Sequence, residues 1–151
     1  MDHALRKWLV AGLAGTAALG RFEWLERLVL GREPAYAPAA ISKRLFGSRR
    51  YGPLLRWTYG PALGIAYGAV DALGARTRDV ASVPRRWIRP LVFGAAVGAA
   101  ELVALPRIGA TPRLRAPEVV ALFLHACAFA LATAAALDQT ARSASRSALA
   151  A

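Results

Sequence analysis

Residues 91–138 decide the fold, and they read LVFGAAVGAAELVALPRIGATPRLRAPEVVALFLHACAFALATAAALD. The stretch divides into two apolar segments that are joined by a proline-rich hinge. In the second segment, Val119 to Leu137 form a run of nineteen residues without a formal charge, taking His125 as neutral. A helix of that length approaches the roughly 30 Å hydrocarbon core of a bilayer, so the stretch predicts an integral membrane protein. The hinge residues are Pro106, Gly109 and Pro112.

The rest of the chain extends this pattern to an all-α bundle of four transmembrane helices in a single membrane domain. A charged start followed by a short apolar stretch also fits a signal peptide, but the helical pattern continues past Gly20 without a clean cleavage site. The predicted spans are about 8–30, 54–75, 87–105 and 117–138, with a connection at 31–53 and a flexible tail at 139–151.

Small residues recur at intervals of four along three of these spans. This spacing lets membrane helices approach closely, so we expect Gly- and Ala-rich helix interfaces. The packing positions are Gly12, Thr16 and Gly20 in the first span, Gly60, Gly64 and Gly68 in the second, and Gly94 and Gly98 in the third.

The composition is apolar and basic at once. The 151 residues are 56% hydrophobic, and 20 Lys and Arg against 9 Asp and Glu give a net charge of +11. Such a charge attracts anionic lipid headgroups, although a GC-rich genome produces the same arginine-rich composition. Nucleic acid is not an expected partner, because the basic residues flank apolar segments instead of forming one face. The predicted partners are membrane lipid, which is anionic, and a second copy of the chain or another membrane protein.

The connection at 31–53 contains a short amphipathic segment. Pro38 is suited to open a helix, although a plain loop fits the sequence nearly as well. In the helical interpretation, Ile41, Leu45 and Phe46 face one way and Ser42, Lys43 and Arg44 face the other.

Polar residues inside the apolar spans are the candidates for chemistry. Glu101 lies within the third span, where a carboxylate is costly and faces a partner or a cavity. It is interpreted either as a proton- or ion-binding group or as the partner of an arginine such as Arg107 or Arg21. His125, in the fourth span, either holds helices together or titrates near neutral pH.

Three further glutamates complete the candidate set. Glu23 and Glu26 could join Glu101 and His125 in a polar track, and Glu23 is also placed to pair with Arg27. Glu118 is interpreted as favourable negative charge at a helix N-terminus.

Catalytic chemistry has little support in the sequence. There is no HExxH, P-loop, GxSxG or Ser/His/Asp pattern. The single cysteine, Cys127, allows no disulfide within the chain and no CxxC motif, and is interpreted as a packing residue. The sequence therefore predicts no enzyme, no cofactor and no metal site.

Four motifs carry a resemblance to a known family: FEWLERLVLGREPAYAP, WTYGPALGIAY, ELVALPRIGATP and EVVALFLH. They are similar to the YagU-like group of small bacterial inner-membrane proteins, whose function is unknown and which is associated with acid resistance. The resemblance implies a multi-pass protein of the bacterial inner membrane. The chain departs from the family in its second span, where Trp57 or Tyr59 stands in place of a histidine. This difference weakens the hypothesis that a histidine senses acid. The residues of this chain that match the positions of the family pattern are Glu101, Pro106, Gly109, Pro112, Glu118 and His125.

Two functions follow as hypotheses. The first is a small non-enzymatic membrane protein, structural or accessory, that contributes to acid or envelope stress tolerance. The alternative is a transporter or channel module that conducts protons or small solutes through Glu101 and His125. Orientation is left open, because the basic residues are equally divided between the two sides of a four-span topology.

Overall fold

The computed structural model describes residues 3–30, 37–76, 85–107 and 116–149. Within these ranges all regular structure is helical and no strand occurs, which confirms the all-α class. The elements are α1 His3–Leu30, α2 Ala37–Phe46, a 3₁₀ turn Arg49–Tyr51, α3 Gly52–Arg76, α4 Arg85–Arg107 and α5 Ala116–Leu149.

Prolines and a glycine set several helix boundaries. Pro38, Pro53 and Pro117 each lie in the first turn of a helix, where the missing backbone N–H costs nothing. Gly47 has a φ of 68° directly after α2, in the left-handed conformation that commonly ends helices.

The four long helices pack side by side in the order α3, α1, α5, α4. Helix α1 contacts α3 on one flank and α5 on the other, and α5 contacts α4. Helices α3 and α4 touch each other only sparsely, and α2 lies against both at one end. The space between α3 and α4 is therefore filled by side chains instead of by close backbone contact.

Glycines allow two of these helix pairs to approach closely. A Cβ atom added at Gly64 would lie 2.5 Å from the Cα of Gly12, so α1 and α3 are in backbone contact there. Thr16 lies over Gly60 and donates a hydrogen bond of 2.8 Å to the carbonyl oxygen of Gly12. Because that hydroxyl is satisfied within its own helix, it packs in a fully buried position.

The α4–α5 pair uses the same principle. A Cβ at Gly94 would lie 2.7 Å from the Cα of Cys127, and one at Gly98 would lie 3.0 Å from the ring of Phe123. The other two predicted packing glycines meet side chains: Gly20 lies against Arg56 and Gly68 against Trp8.

Within the described residues, two helices are long and apolar enough to cross a membrane, Trp87–Arg107 and Ala116–Ser143. Buried helices of soluble proteins pass the same test of length and composition. Helices α1 and α3, with 28 and 25 residues, are long enough but do not reach the mean hydropathy that this test requires. The finer prediction of four spans is therefore not confirmed by this criterion.

Some predicted boundaries and faces differ in the structure. Helix α5 continues to Leu149, beyond the expected end near residue 138. Pro106 lies in the last turn of α4, whereas Gly109 and Pro112 fall outside the described residues.

The predicted short helix is present as α2, and one residue departs from its predicted faces. Ser42, expected on the polar face, is fully buried and donates a hydrogen bond of 2.5 Å to the carbonyl oxygen of Ser48. Leu45 and Phe46, on the predicted apolar face, are exposed, as a helix that lies on a membrane surface requires. The reason for the burial of Ser42 is tertiary, because α2 packs through Ala40 against Leu105 and Leu122.

Candidate functional site: a small cavity among the helices

A small cavity lies among α1, α2, α3, α4 and α5. Its volume of about 30 Å³ is close to that of one or two water molecules. Most of the lining is aliphatic or aromatic, and Pro38 of α2 closes one side. The polar side chains on its wall are Thr16, Arg56, Tyr59, Glu101 and His125.

Tyr59 and Glu101 connect α3 to α4 at this cavity. The Tyr59 hydroxyl donates a hydrogen bond of 2.6 Å to Oε1 of Glu101. Such a short bond to a carboxyl group stabilises a polar side chain that is otherwise costly to bury. One of the two interpretations from the sequence gave Glu101 an arginine partner, whereas the hydrogen bond in the described part of the chain comes from a tyrosine.

This bond is one member of a regular α3–α4 seam. Moving eight residues along α3 from Tyr59 to Tyr67 moves eight residues back along α4 from Glu101 to Phe93, whose ring lies 5.1 Å from that of Tyr67. The constant register shows that α3 and α4 are antiparallel.

The seam ends in an ion pair. Four residues beyond Tyr67, Asp71 accepts a hydrogen bond of 3.2 Å from Arg89. Both side chains are partly exposed, so this pair adds at most about 1 kcal/mol to stability. The seam therefore runs from a buried polar contact to a solvated one.

His125 is 3% exposed and reaches the cavity from α5. Its Nδ1 lies 2.7 Å from the carbonyl oxygen of Ala121, one turn earlier in the same helix. A carbonyl only accepts, so Nδ1 carries the hydrogen, and in the neutral ring Nε2 holds the basic lone pair. Phe22 of α1 packs edge-on against the imidazole with ring centroids 5.0 Å apart.

Glu23 and Arg56 form a buried ion pair between α1 and α3. Nη1 of Arg56 donates to Oε2 of Glu23 at 2.6 Å, and the two side chains are only 14% and 6% exposed. Oε1 of Glu23 and Nε of Arg56 are buried without a hydrogen-bond partner in the described structure. The pair is thus held by one contact, and each side chain keeps unused hydrogen-bonding capacity.

The structure brings some predicted site residues together and separates others. Glu101 and His125 line one cavity, and Glu23 reaches its wall through Arg56. The side chain of Arg27, the partner predicted for Glu23, lies outside the described structure. Glu118 lies in the first turn of α5, away from the cavity lining. The side chain of Glu26 is outside the described structure.

Sequence reasoning did not assign Tyr59, Arg56 or Thr16 to the site. Tyr59 and Tyr67 share a face of α3 because they are eight residues apart. This spacing is the sequence feature that could have identified Tyr59 as an interior residue. Nothing in the sequence indicates which helix that face meets.

The chemistry available at the cavity is proton exchange and hydrogen bonding. Glutamate and histidine side chains gain or lose a proton, the tyrosine hydroxyl donates a hydrogen bond, and the cavity has space for water. Over the described ranges no group of three or more His, Cys, Asp or Glu residues is placed to bind a metal ion.

No family model, curated protein or solved structure matches the chain. The resemblance to the YagU-like group therefore stays a prediction.

Proposed function

We propose that this chain is a four-span protein of the bacterial inner membrane that takes up and passes on protons at its buried cavity. The single observation that carries the proposal is that Glu101 and His125, on different helices, line the same water-sized cavity. Intramembrane acidic and histidine side chains that face a common cavity are characteristic of proton pathways.

Placement in a membrane is supported by the outer surface of the bundle. All four long helices expose large apolar side chains, which lipid accommodates and water does not. Examples are Leu13 and Leu28 of α1, Val70 and Leu73 of α3, Val92 and Val103 of α4, and Val120 and Leu124 of α5.

The site geometry suggests how a proton is handled. Oε1 of Glu101 is occupied by the Tyr59 hydroxyl, so proton exchange at this carboxyl group takes place at Oε2. At His125, Nδ1 donates to the backbone and Nε2 is the position that gains or loses a proton. Water in the cavity is the carrier that connects the two groups.

The test is proton flux into liposomes under a pH gradient. Flux in the wild type should exceed that of empty liposomes. It should fall about tenfold or more in Glu101→Gln and in His125→Ala, because a positioned proton-transfer group raises a rate by at least that factor. Glu118→Gln is the matched control, because it removes a glutamate outside the cavity lining. Equal flux in wild-type and empty liposomes contradicts the proposal.

A structural or accessory role in envelope or acid stress tolerance is the second candidate. It is favoured by the close backbone contact of Gly12 with Gly64, which ties α1 and α3 into a rigid pair. In this case the cavity residues serve packing, and the protein acts through lipid, a second copy or a membrane protein partner. Absence of flux together with an unfolding free energy that falls in Glu101→Gln supports this function.

A further inference from the structure

A second depression lies on the outer surface between α1 and α3. It is an open groove of about 370 Å³ near the C-terminal part of α1 and the N-terminal part of α3. Gly20 forms its floor, and a Cβ there would come within 3.3 Å of the Arg56 guanidinium. The missing side chain therefore leaves space beside a cation.

The walls of the groove combine cationic and aromatic side chains. Arg21 is exposed at its edge, and Arg56 lies inside it. Trp24 and Trp57 flank it and are 64% and 47% exposed. Tryptophan at a membrane surface lies at headgroup level, where its ring contacts acyl chains and its N–H donates to polar groups. Arginine is the side chain best shaped to bind a phosphate oxygen pair.

We propose that this groove binds the phosphate headgroup of an anionic phospholipid. Arg21 and Arg56 contact the phosphate, and Trp24 and Trp57 hold the start of the acyl chains. Because Glu23 neutralises one of the two cations, the groove keeps one net positive charge, which matches the single negative charge of a phosphodiester headgroup. The inference rests on the membrane placement proposed above, but not on proton transfer.

The groove and the cavity share part of their walls, so binding at the groove should affect the cavity. Arg56 and Thr16 line both spaces, so the guanidinium is part of the wall between them. Glu23 holds that guanidinium through one 2.6 Å contact. A headgroup phosphate in the groove therefore competes with Glu23 for Arg56, and removal of the Glu23 charge should strengthen lipid binding.

The experiment uses the two groove tryptophans as reporters. In a Trp8→Phe/Trp87→Phe background, the protein is reconstituted in vesicles that contain brominated phosphatidylglycerol or, at the same mole fraction, brominated phosphatidylcholine. Quenching should be stronger with the anionic lipid. Arg21→Gln should weaken the preference about fivefold, the effect of one basic residue near an anionic surface, and Glu23→Gln should increase it. Arg142→Gln is the control. It makes the same charge change at an exposed position of α5 and should leave the preference for the anionic lipid unchanged.

The outcomes separate this inference from the proposed function. Equal quenching by the two lipids shows a protein in the membrane without a headgroup site, and overturns the inference alone. A preference that Arg142→Gln lowers as much as Arg21→Gln shows general charge attraction and also overturns it. No quenching by either lipid overturns both the groove site and the membrane placement. Because Arg21 is exposed, its variant tests the site without removing a buried contact.

Discussion

At the scale of single residues, three contacts hold the polar side chains of the interior. Two of them join different helices, and the third lies within α5. Tyr59 donates to Glu101, Arg56 pairs with Glu23, and His125 bonds the carbonyl of Ala121. Each contact offsets part of the free energy that burial of a polar group costs. The Arg56 pair is the least complete, since both partners keep a buried atom without a hydrogen bond in the described structure.

Tyr59→Phe tests the contact at the centre of the site. The change removes only the hydroxyl, and Glu101 loses its donor, so the free energy of unfolding in detergent should fall by about 1–2 kcal/mol. Tyr51→Phe is the control. Tyr51 packs through its ring, against Phe46 and the guanidinium of Arg50, so its variant should change stability by less than about 0.5 kcal/mol. Equal effects of the two variants would show that the Tyr59 hydroxyl is not specifically bound.

At the scale of helices, two kinds of interface occur in the same bundle. The α1–α3 and α4–α5 pairs are in close contact through glycine, whereas α3 and α4 stand apart and are joined by long side chains. Close glycine contacts resist separation, while side-chain contacts leave room for a cavity. The cavity and the polar seam therefore occur together on the more open side of the bundle.

Gly64→Ala tests the closest contact. Its new methyl group would lie 2.5 Å from the backbone of Gly12, so α1 and α3 must separate, and the unfolding free energy should fall by about 1–3 kcal/mol. Gly74→Ala in the same helix is the matched control, because its nearest new contact is the Arg89 guanidinium at 3.8 Å. That variant should be neutral or slightly more stable, since alanine favours helix. A Gly64→Ala protein as stable as the control would contradict this packing.

At the scale of the whole molecule, the antiparallel order of the long helices sets the topology. With four spans, the segment between α2 and α3 and the end of α5 lie on opposite sides of the membrane. With only the two most apolar helices inserted, they lie on the same side. The number of crossings is thus a property that labelling can measure.

Single cysteines at Ser48 and Ser143, each in a Cys127→Ala background, test this topology. In sealed vesicles of one orientation, an impermeant maleimide should label one position and not the other, as four crossings require. Labelling after detergent solubilisation is the control for reactivity of both thiols. Labelling of both or neither position in intact vesicles would indicate two crossings by α4 and α5.

Local sequence determined the helices of this protein. Apolar length, prolines in first turns and small residues at intervals of four depend on neighbours within one helix, so the long helices and their glycine positions were predictable. The helical end of α5 was missed because its polar residues, which continue the helix in the structure, indicated a tail.

Tertiary structure alone decided the partners. Glu101 meets Tyr59 and Glu23 meets Arg56 across 42 and 33 residues of chain, and no local pattern specifies which faces of distant helices come together. The same holds for Ser42, which is buried because α2 packs on its neighbours. A sequence records which side chains a helix carries, whereas the packing of all helices at once decides which of them share a cavity.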